Sequence, residues 1–322
     1  MLLNLADRSW WLHRAVDSAP RRVYVLPNHR IVWVQVAKSG CTSVIEMLSR
    51  LNGLGSLNPH EEFPCERPEV HSVHGWHDAG AHGLRRLRQC SRSLRHCATS
   101  APDWWRFAIV RDPYLRFLSA WMDKVFLSGA HDSRLWEGVQ DVCRADGRID
   151  VTATFSQFVR SVALSPARYL GNPHFVPQHS VLCRGLFPDL DVIPLSRIED
   201  VCSKIRAMTG QPFALGRLNK SLRLDPRGLY RRESLDLVSH LYIEDLGCDP
   251  AVTSPPDPVG EPVILTRMES ELVRRVRTAA RRIHHLGRRT TAQSRFLYRL
   301  RQALVGGSIA GIQRRELGAL PR

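Results

Sequence analysis

"VWVQVAKSGCTSVIEML" (residues 32–48) changes character halfway along. Its first part, with the flanking residues "RIVWVQV" (30–36), is short, rich in β-branched residues and apolar on successive positions. That is the pattern of a strand buried on both faces. Its second part carries Val44, Met47, Leu48 and Leu51 at i, i+3, i+4, i+7 spacing, which predicts a helix with one buried face. Between them, "AKSGCTS" holds one lysine, one glycine and three hydroxyl side chains. A helix N-terminus offers unpaired amides and the positive end of a dipole, so the bend predicts an anion seat. Gly40 permits close backbone approach, Ser39, Thr42 and Ser43 add donors, and Lys38 adds a mobile charge. The loop is not a Walker sequence, because its lysine precedes the glycine and no GxxxxGK[ST] follows. A tight turn with an exposed lysine is the alternative that the loop alone leaves open.

The same strand–turn–helix arrangement recurs. "RFAIV" (106–110) precedes "RDPYLRFLSAWMDKVF", where Asp112 suits a cap, Pro113 suits the first helical position, and Tyr114, Phe117, Leu118, Trp121 and Val125 form an apolar stripe. "DVIPL" (191–195) leads into "SRIEDVCSKIRAM", which opens on a Ser-x-x-Glu capping box, and "ESLDLVSHLYIEDLG" (233–247) reads as a helix ending at Gly247. Such repetition predicts an α/β domain around a mainly parallel sheet, with ligands at the carboxyl ends of the strands. Arg111 ends its strand and Ser119 lies two turns into the next helix, where the pair could hold a second phosphate; Arg111 could equally pair with an acid.

With 322 residues, 43% hydrophobic and 24% charged, the chain has ample material for a core. Its eight cysteines are scattered without a CxxC and read as reduced thiols. Asp7 and Arg8 interrupt the N-terminal apolar stretch and no 18-residue apolar run exists, so neither an export signal nor a membrane span is expected, and a cytoplasmic setting is. The net charge is +15, of which residues 260–322 supply about +10 from 14 arginines and four glutamates. Those arginine blocks suit an acidic partner or a membrane surface, or simply a solvated helical extension. They lack the aromatic interleaving and the recognisable fold that nucleic-acid binding would need. The expected organisation is a domain over 1–252, a linker over 253–262 ("TSPPDPVGEP" and its surroundings) and an Arg-rich helical extension over 263–322.

Taken together, these segments resemble a known family. "VAKSGCTSVIEML" is similar to the 5′-phosphosulfate loop of sulfotransferases, and "FAIVRDPYLRFLSAW" to their 3′-phosphate segment, in which an arginine opens and a serine closes the motif. "NPHFVPQHSVLC" (172–183) resembles a His-Trp-x-Pro-Gln segment of the Golgi-type, family 2 carbohydrate sulfotransferases, and "DVIPLSRIEDV", "LNKS" (218–221) and "LYIEDLG" (241–247) follow in that family's order. The resemblance covers roughly residues 24–250. It implies a P-loop-like, sulfotransferase-type sheet flanked by helices, with a basic helical C-terminal extension. It also implies transfer of a sulfuryl group from 3′-phosphoadenosine 5′-phosphosulfate (PAPS) to a hydroxyl or amine of a carbohydrate or small-molecule acceptor. Lys38, Ser39, Gly40, Cys41, Thr42 and Ser43 would cradle the 5′ end, and Arg111 and Ser119 the 3′ phosphate. Lys38 would stabilise the leaving oxygen, and because a sulfuryl group carries less charge than a terminal phosphoryl group, no metal is expected.

For the base that activates the acceptor, the candidates are His74, between the two nucleotide motifs; Glu46, eight residues after Lys38 as in heparan-type 3-O-sulfotransferases; and His174, in that order. Ser43-x-x-Glu46 also reads as a capping box. Phe175 replaces the family's usual tryptophan, and the Golgi members' anchor and disulfides have no counterpart, which points to a cytosolic, bacterial relative. The competing readings are a small-molecule kinase using ATP and magnesium, and a nucleic-acid or membrane-surface binding protein acting through the Arg-rich tail.

Overall fold

A computed structural model describes residues 22–53, 84–127, 141–210, 226–248, 257–258 and 260–285. Five strands form one sheet: β1 (Val23–Leu26), β2 (Ile31–Val34), β3 (Arg85–Arg86), β4 (Trp105–Val110) and β5 (Asp191–Pro194), in the order β3-β1-β2-β4-β5. β2–β4 and β4–β5 are parallel, while β1 is antiparallel to both β2 and β3. The α/β sheet flanked by helices is therefore present, with a parallel centre and an antiparallel edge. The helices in chain order are α1 (Cys41–Leu51), α2 (Arg92–Ser100), α3 (Pro113–Trp121), α4 (Val151–Leu164), α5 (Pro166–Leu170), α6 (Ile198–Thr209), α7 (Pro226–Leu229), α8 (Arg232–Leu241) and α9 (Arg267–His285).

The chain divides into two compact units. One draws on the described residues up to 116, between 170 and 219, and from 242 to 253; the other on those between 117 and 169, 220 and 241, and from 254 onward. The first holds the whole sheet. Period-2 alternation sends Ile31, Trp33, Phe107 and Ile109 to the face covered by Val44, Leu48, Val201 and Ile205 of α1 and α6. Val32, Val34, Ala108 and Val110 face the other side, against Ala98, Val181, Leu182 and Phe187. This two-sided burial explains the unbroken apolar runs of β2 and β4.

Local signals succeed unevenly. Asp112 does cap α3, its Oδ1 accepting from Leu115 N at 2.7 Å. Neither Ser-x-x-Glu box opens a helix. α1 starts at Cys41 behind Gly40, which places Ser43 inside the first turn, and Glu46 bonds forward to Arg50 Nε at 2.8 Å instead of back. α6 starts at Ile198 behind Arg197, with no side-chain cap. The helix expected over 233–247 stops at Leu241 and is followed by a 3-10 turn, Ile243–Asp245.

In the second unit, Asp150 caps α4 by accepting from Ala153 N at 2.9 Å. Phe117, Trp121, Phe126, Phe155, Phe158 and Tyr230 form its aromatic core, with ring centroids about 5–6 Å apart. The described part of the basic segment is built into this unit. Leu265 N bonds to Ile149 O, Leu272, Val273 and Val276 are buried, and Arg277 donates to Phe126 O and to both oxygens of Asp141 at 2.7 Å. Among the described residues no helix is long and apolar enough to cross a membrane.

Candidate active site

β2 runs out at Val34, and the chain turns through residues 35–40 into α1. Two residues of that turn take left-handed backbone angles, Lys38 at φ 69 and Gly40 at φ 79. Glycine adopts this region freely, whereas lysine does so at a strain of about 1 kcal/mol. The first intrahelical bond is Val44 N to Gly40 O, so the amides of the first turn have no acceptor within the helix. Ser39 is 1% exposed, and its Oγ has no hydrogen-bond partner among the described residues. A buried hydroxyl left without a partner is a cost unless an anion completes it. Cys41 serves differently: its thiol donates to Val36 O at 2.8 Å, and burial pushes its pKa up, so its side chain ties the loop together and only its backbone amide can reach a ligand. Thr42 and Ser43 lie half-buried in the first turn of α1, and each makes an interaction within the protein.

The second strand end comes alongside. β4 is the parallel neighbour of β2, and Arg111, the residue after it, reaches back so that its Nη1 donates to Lys38 O at 3.3 Å. Burial draws the Arg111 guanidinium below the usual arginine range; Asp112 opposes this and Arg116 adds to it. Among the described residues no carboxylate lies within ion-pairing distance of Arg111. Arg111 brings a part-buried guanidinium, favoured by the nearby charge of Asp112 but not ion-paired among the described residues, beside the lysine loop. The two strand-to-helix turns singled out in the sequence are thus brought together at the carboxyl ends of the two central parallel strands. Ser119 is buried on α3, at a position that belongs to the second unit.

Several residues that sequence reasoning passed over build the support. Arg116 is 1% exposed and donates to Ala37 O (3.0 Å) and Val176 O (2.6 Å), with Asp245 Oδ2 at 3.9 Å. Asp245 is fully buried; it accepts from Gln178 N (2.8 Å), His179 N (2.8 Å) and His179 Nδ1 (2.9 Å). The Glu244 carboxylate lies against the other ring nitrogen of His179. The side chain of Gln178 bonds both backbone groups of Arg111. Tyr242 Oη donates to Phe175 O at 2.5 Å from a site where burial pushes its pKa far up. Arg22, just ahead of β1, accepts through its carbonyl from Gln35 N and places another guanidinium near the loop; burial lowers its pKa as well. "PQH" and "YIEDL" were visible as segments, but only their contact reveals why they belong together.

Of the base candidates, Glu46 is on α1, 6% exposed and bonded to Arg50, and His174 sits half-buried beside Asn172, whose Oδ1 accepts from His174 N at 3.0 Å. His74 and the "LNKS" segment lie outside the described residues, as does half of the expected linker. Among the described residues no cluster of His, Cys, Asp or Glu could hold a metal ion.

A sequence model of the sulfotransferase family matches residues 21–235, which include both strand ends, Gln178 and α6. The chain belongs to the sulfotransferase family. Within the chain, 103 residues are 34% identical to a carbohydrate sulfotransferase 10 from Xenopus laevis. That match covers 32% of this chain and 26% of the relative, so the chain aligns with about a quarter of the relative's length. No solved structure gives a significant match. Membership places the loop at residues 36–43 in a group-transfer enzyme family and accounts for the sheet that carries it.

Proposed function

We propose that this sulfotransferase moves a sulfuryl group from PAPS to a hydroxyl or amine of a carbohydrate or small-metabolite acceptor. The observation that carries the reading is Arg111: a part-buried guanidinium with no carboxylate in ion-pairing distance among the described residues, its Nη1 3.3 Å from Lys38 O in the lysine loop. A ligand with an anion at each end of an adenosine would satisfy that cation and the unpartnered Ser39 hydroxyl together. In this reading Lys38, Ser39, Gly40, Cys41, Thr42 and Ser43 hold the 5′ end, the last four chiefly through helix amides. Arg111 holds the 3′ phosphate, and Ser119 joins it on the strength of the sequence motif. When bound, PAPS supplies an activated sulfuryl group whose departure leaves negative charge on a phosphate oxygen.

The chain's own residues supply position and charge. The left-handed backbone of Lys38 fixes the origin of its side chain beside the helix N-terminus, where its ammonium can neutralise that oxygen. His74 remains the first choice for the base, followed by Glu46 and His174. The engagement of Glu46 with Arg50 weakens its case relative to the histidines. The carbohydrate acceptor is supported by the similarity to the Xenopus carbohydrate sulfotransferase 10.

Thermal shift with adenosine 3′,5′-bisphosphate, AMP and ATP with magnesium tests the donor. At 100 times its dissociation constant a ligand adds about 2.7 kcal/mol, a rise in Tm of about 4 °C for a chain of this size. Bisphosphate should stabilise more than AMP. Equal shifts would refute the 3′-phosphate role of Arg111, and a preference for ATP with magnesium would turn the reading toward a kinase.

A further inference from the structure

The carboxyl end of β4 creates a backbone problem. Its pairing with β2 stops at Val34↔Ala108 and its pairing with β5 stops at Val110↔Pro194, where the partner is a proline. Arg111 therefore leaves the sheet with its N–H and C=O beyond both ladders, in a partly buried place where unpaired backbone groups are costly. Gln178, 0% exposed, answers both groups with one side chain. Arg111 N donates to Gln178 Oε1 at 3.2 Å, and Gln178 Nε2 donates to Arg111 O at 2.7 Å. The amide acts as one more rung of the sheet, contributed from 67 residues away. Only an amide can do this: an ionised carboxylate cannot donate, and an apolar chain can do neither.

Gln178 is itself fixed. Its backbone N–H, and both the N–H and the ring of His179, are held by the buried carboxylate of Asp245. The result is a connected support running from Asp245 through the 178–179 turn to the backbone of Arg111, and from there to a guanidinium laid against Lys38 O. Resting on the donor reading above, we propose that Gln178 is the positioning residue for Arg111. Its amide sets the height and rotation at which the guanidinium leaves β4, and so sets the preference for a nucleotide bearing a 3′ phosphate. Gln178 touches no nucleotide in this account; it acts through Arg111.

The test is calorimetric binding of adenosine 3′,5′-bisphosphate and of AMP to the full chain and to Gln178→Met, Gln178→Glu, Arg111→Met and the Arg111→Met/Gln178→Met double variant. The parent should prefer bisphosphate. Gln178→Met should lose about tenfold in bisphosphate affinity, the loss expected when a charge-assisted contact is misaimed, with AMP affinity unchanged. Gln178→Glu keeps the side chain's length and its acceptor, so it provides a folded comparison should the methionine variant be unstable. It should lose at least as much, because its charge also neutralises the guanidinium. In the Arg111→Met background, Gln178→Met should change neither affinity. A parallel loss of both ligands, or an unchanged ratio, would show a merely structural glutamine and overturn the proposal while leaving the donor reading intact. A parent without bisphosphate preference would instead overturn the donor reading and this proposal together.

Discussion

Asp245→Asn is the most informative single perturbation of the framework, because the substitution preserves shape and removes only charge and acceptors. In the native site Oδ1 takes both His179 N and His179 Nδ1, and Oδ2 takes Gln178 N with Arg116 Nη1 at 3.9 Å. An asparagine keeps one oxygen. Whichever way it turns, its NH2 faces a backbone N–H that has lost its acceptor, and a buried donor left unsatisfied costs about 1–3 kcal/mol. Arg116 also loses its buried counter-charge. Breaking such a pair can cost about 3–5 kcal/mol, but the 3.9 Å separation and the two carbonyls already bonded to Arg116 argue for the low end or less. Together these give about 3–4 kcal/mol, a fall in Tm of about 5 °C. Urea denaturation of the parent, Asp245→Asn, Arg116→Met and the double variant measures it. The cost of Asp245→Asn should shrink by about 1 kcal/mol or more once Arg116 is methionine, since the unneutralised cation is then gone. A loss below about 1 kcal/mol, or strict additivity in the cycle, would refute the picture of Asp245 as the buried anchor of the turn.

Lys38→Ala should lower turnover by about 10²–10³-fold in a sulfuryl-transfer assay while leaving Tm nearly unchanged; near-normal turnover would remove its assigned role. Lys38→Gly should be equally inactive yet more stable than Lys38→Ala by about 1 kcal/mol, because φ 69 is free for glycine alone. Arg277→Met should destabilise the chain by about 3 kcal/mol or more in denaturant melts, as it strands the Asp141 carboxylate and Phe126 O; a neutral result would return residues 267–278 to the status of a solvated appendage. Burial pushes the Cys183 and Cys248 thiols up to about 11 from 9.0. The folded state then holds protons that the unfolded chain releases, so stability present below pH 9 is lost as pH rises toward 11. A Cys183→Ser/Cys248→Ser variant should show a flatter alkaline decline than the parent when stability is titrated by urea; identical slopes would contradict it.

The three strand–turn–helix units could be read directly. Each rests on short-range rules: two-sided apolar runs for β2 and β4, i, i+3, i+4, i+7 spacing for α1, and Asp112 with Pro113 at the start of α3. The Ser-x-x-Glu boxes misled because a local pattern competes with the tertiary setting. Gly40 and Arg197 had already set where α1 and α6 begin, and Glu46 found Arg50 on the next turn. The antiparallel strand β1, four residues long, carried too little period to stand out, and the arginines of α9 gave no sign that Arg277 would be sunk against Asp141.

By itself, then, the sequence determined which residues turn from strand to helix and which small, polar and basic residues stand at those turns, because glycine angles, caps and apolar periods act over a few residues. The tertiary structure alone decided that Lys38 and Arg111 meet at the carboxyl ends of neighbouring parallel strands, and that Gln178 and Asp245 hold the arginine in place. Those contacts join groups 67 and 73 residues apart, and hydrogen-bond complementarity over such separations exists only once the sheet has brought its strand ends together.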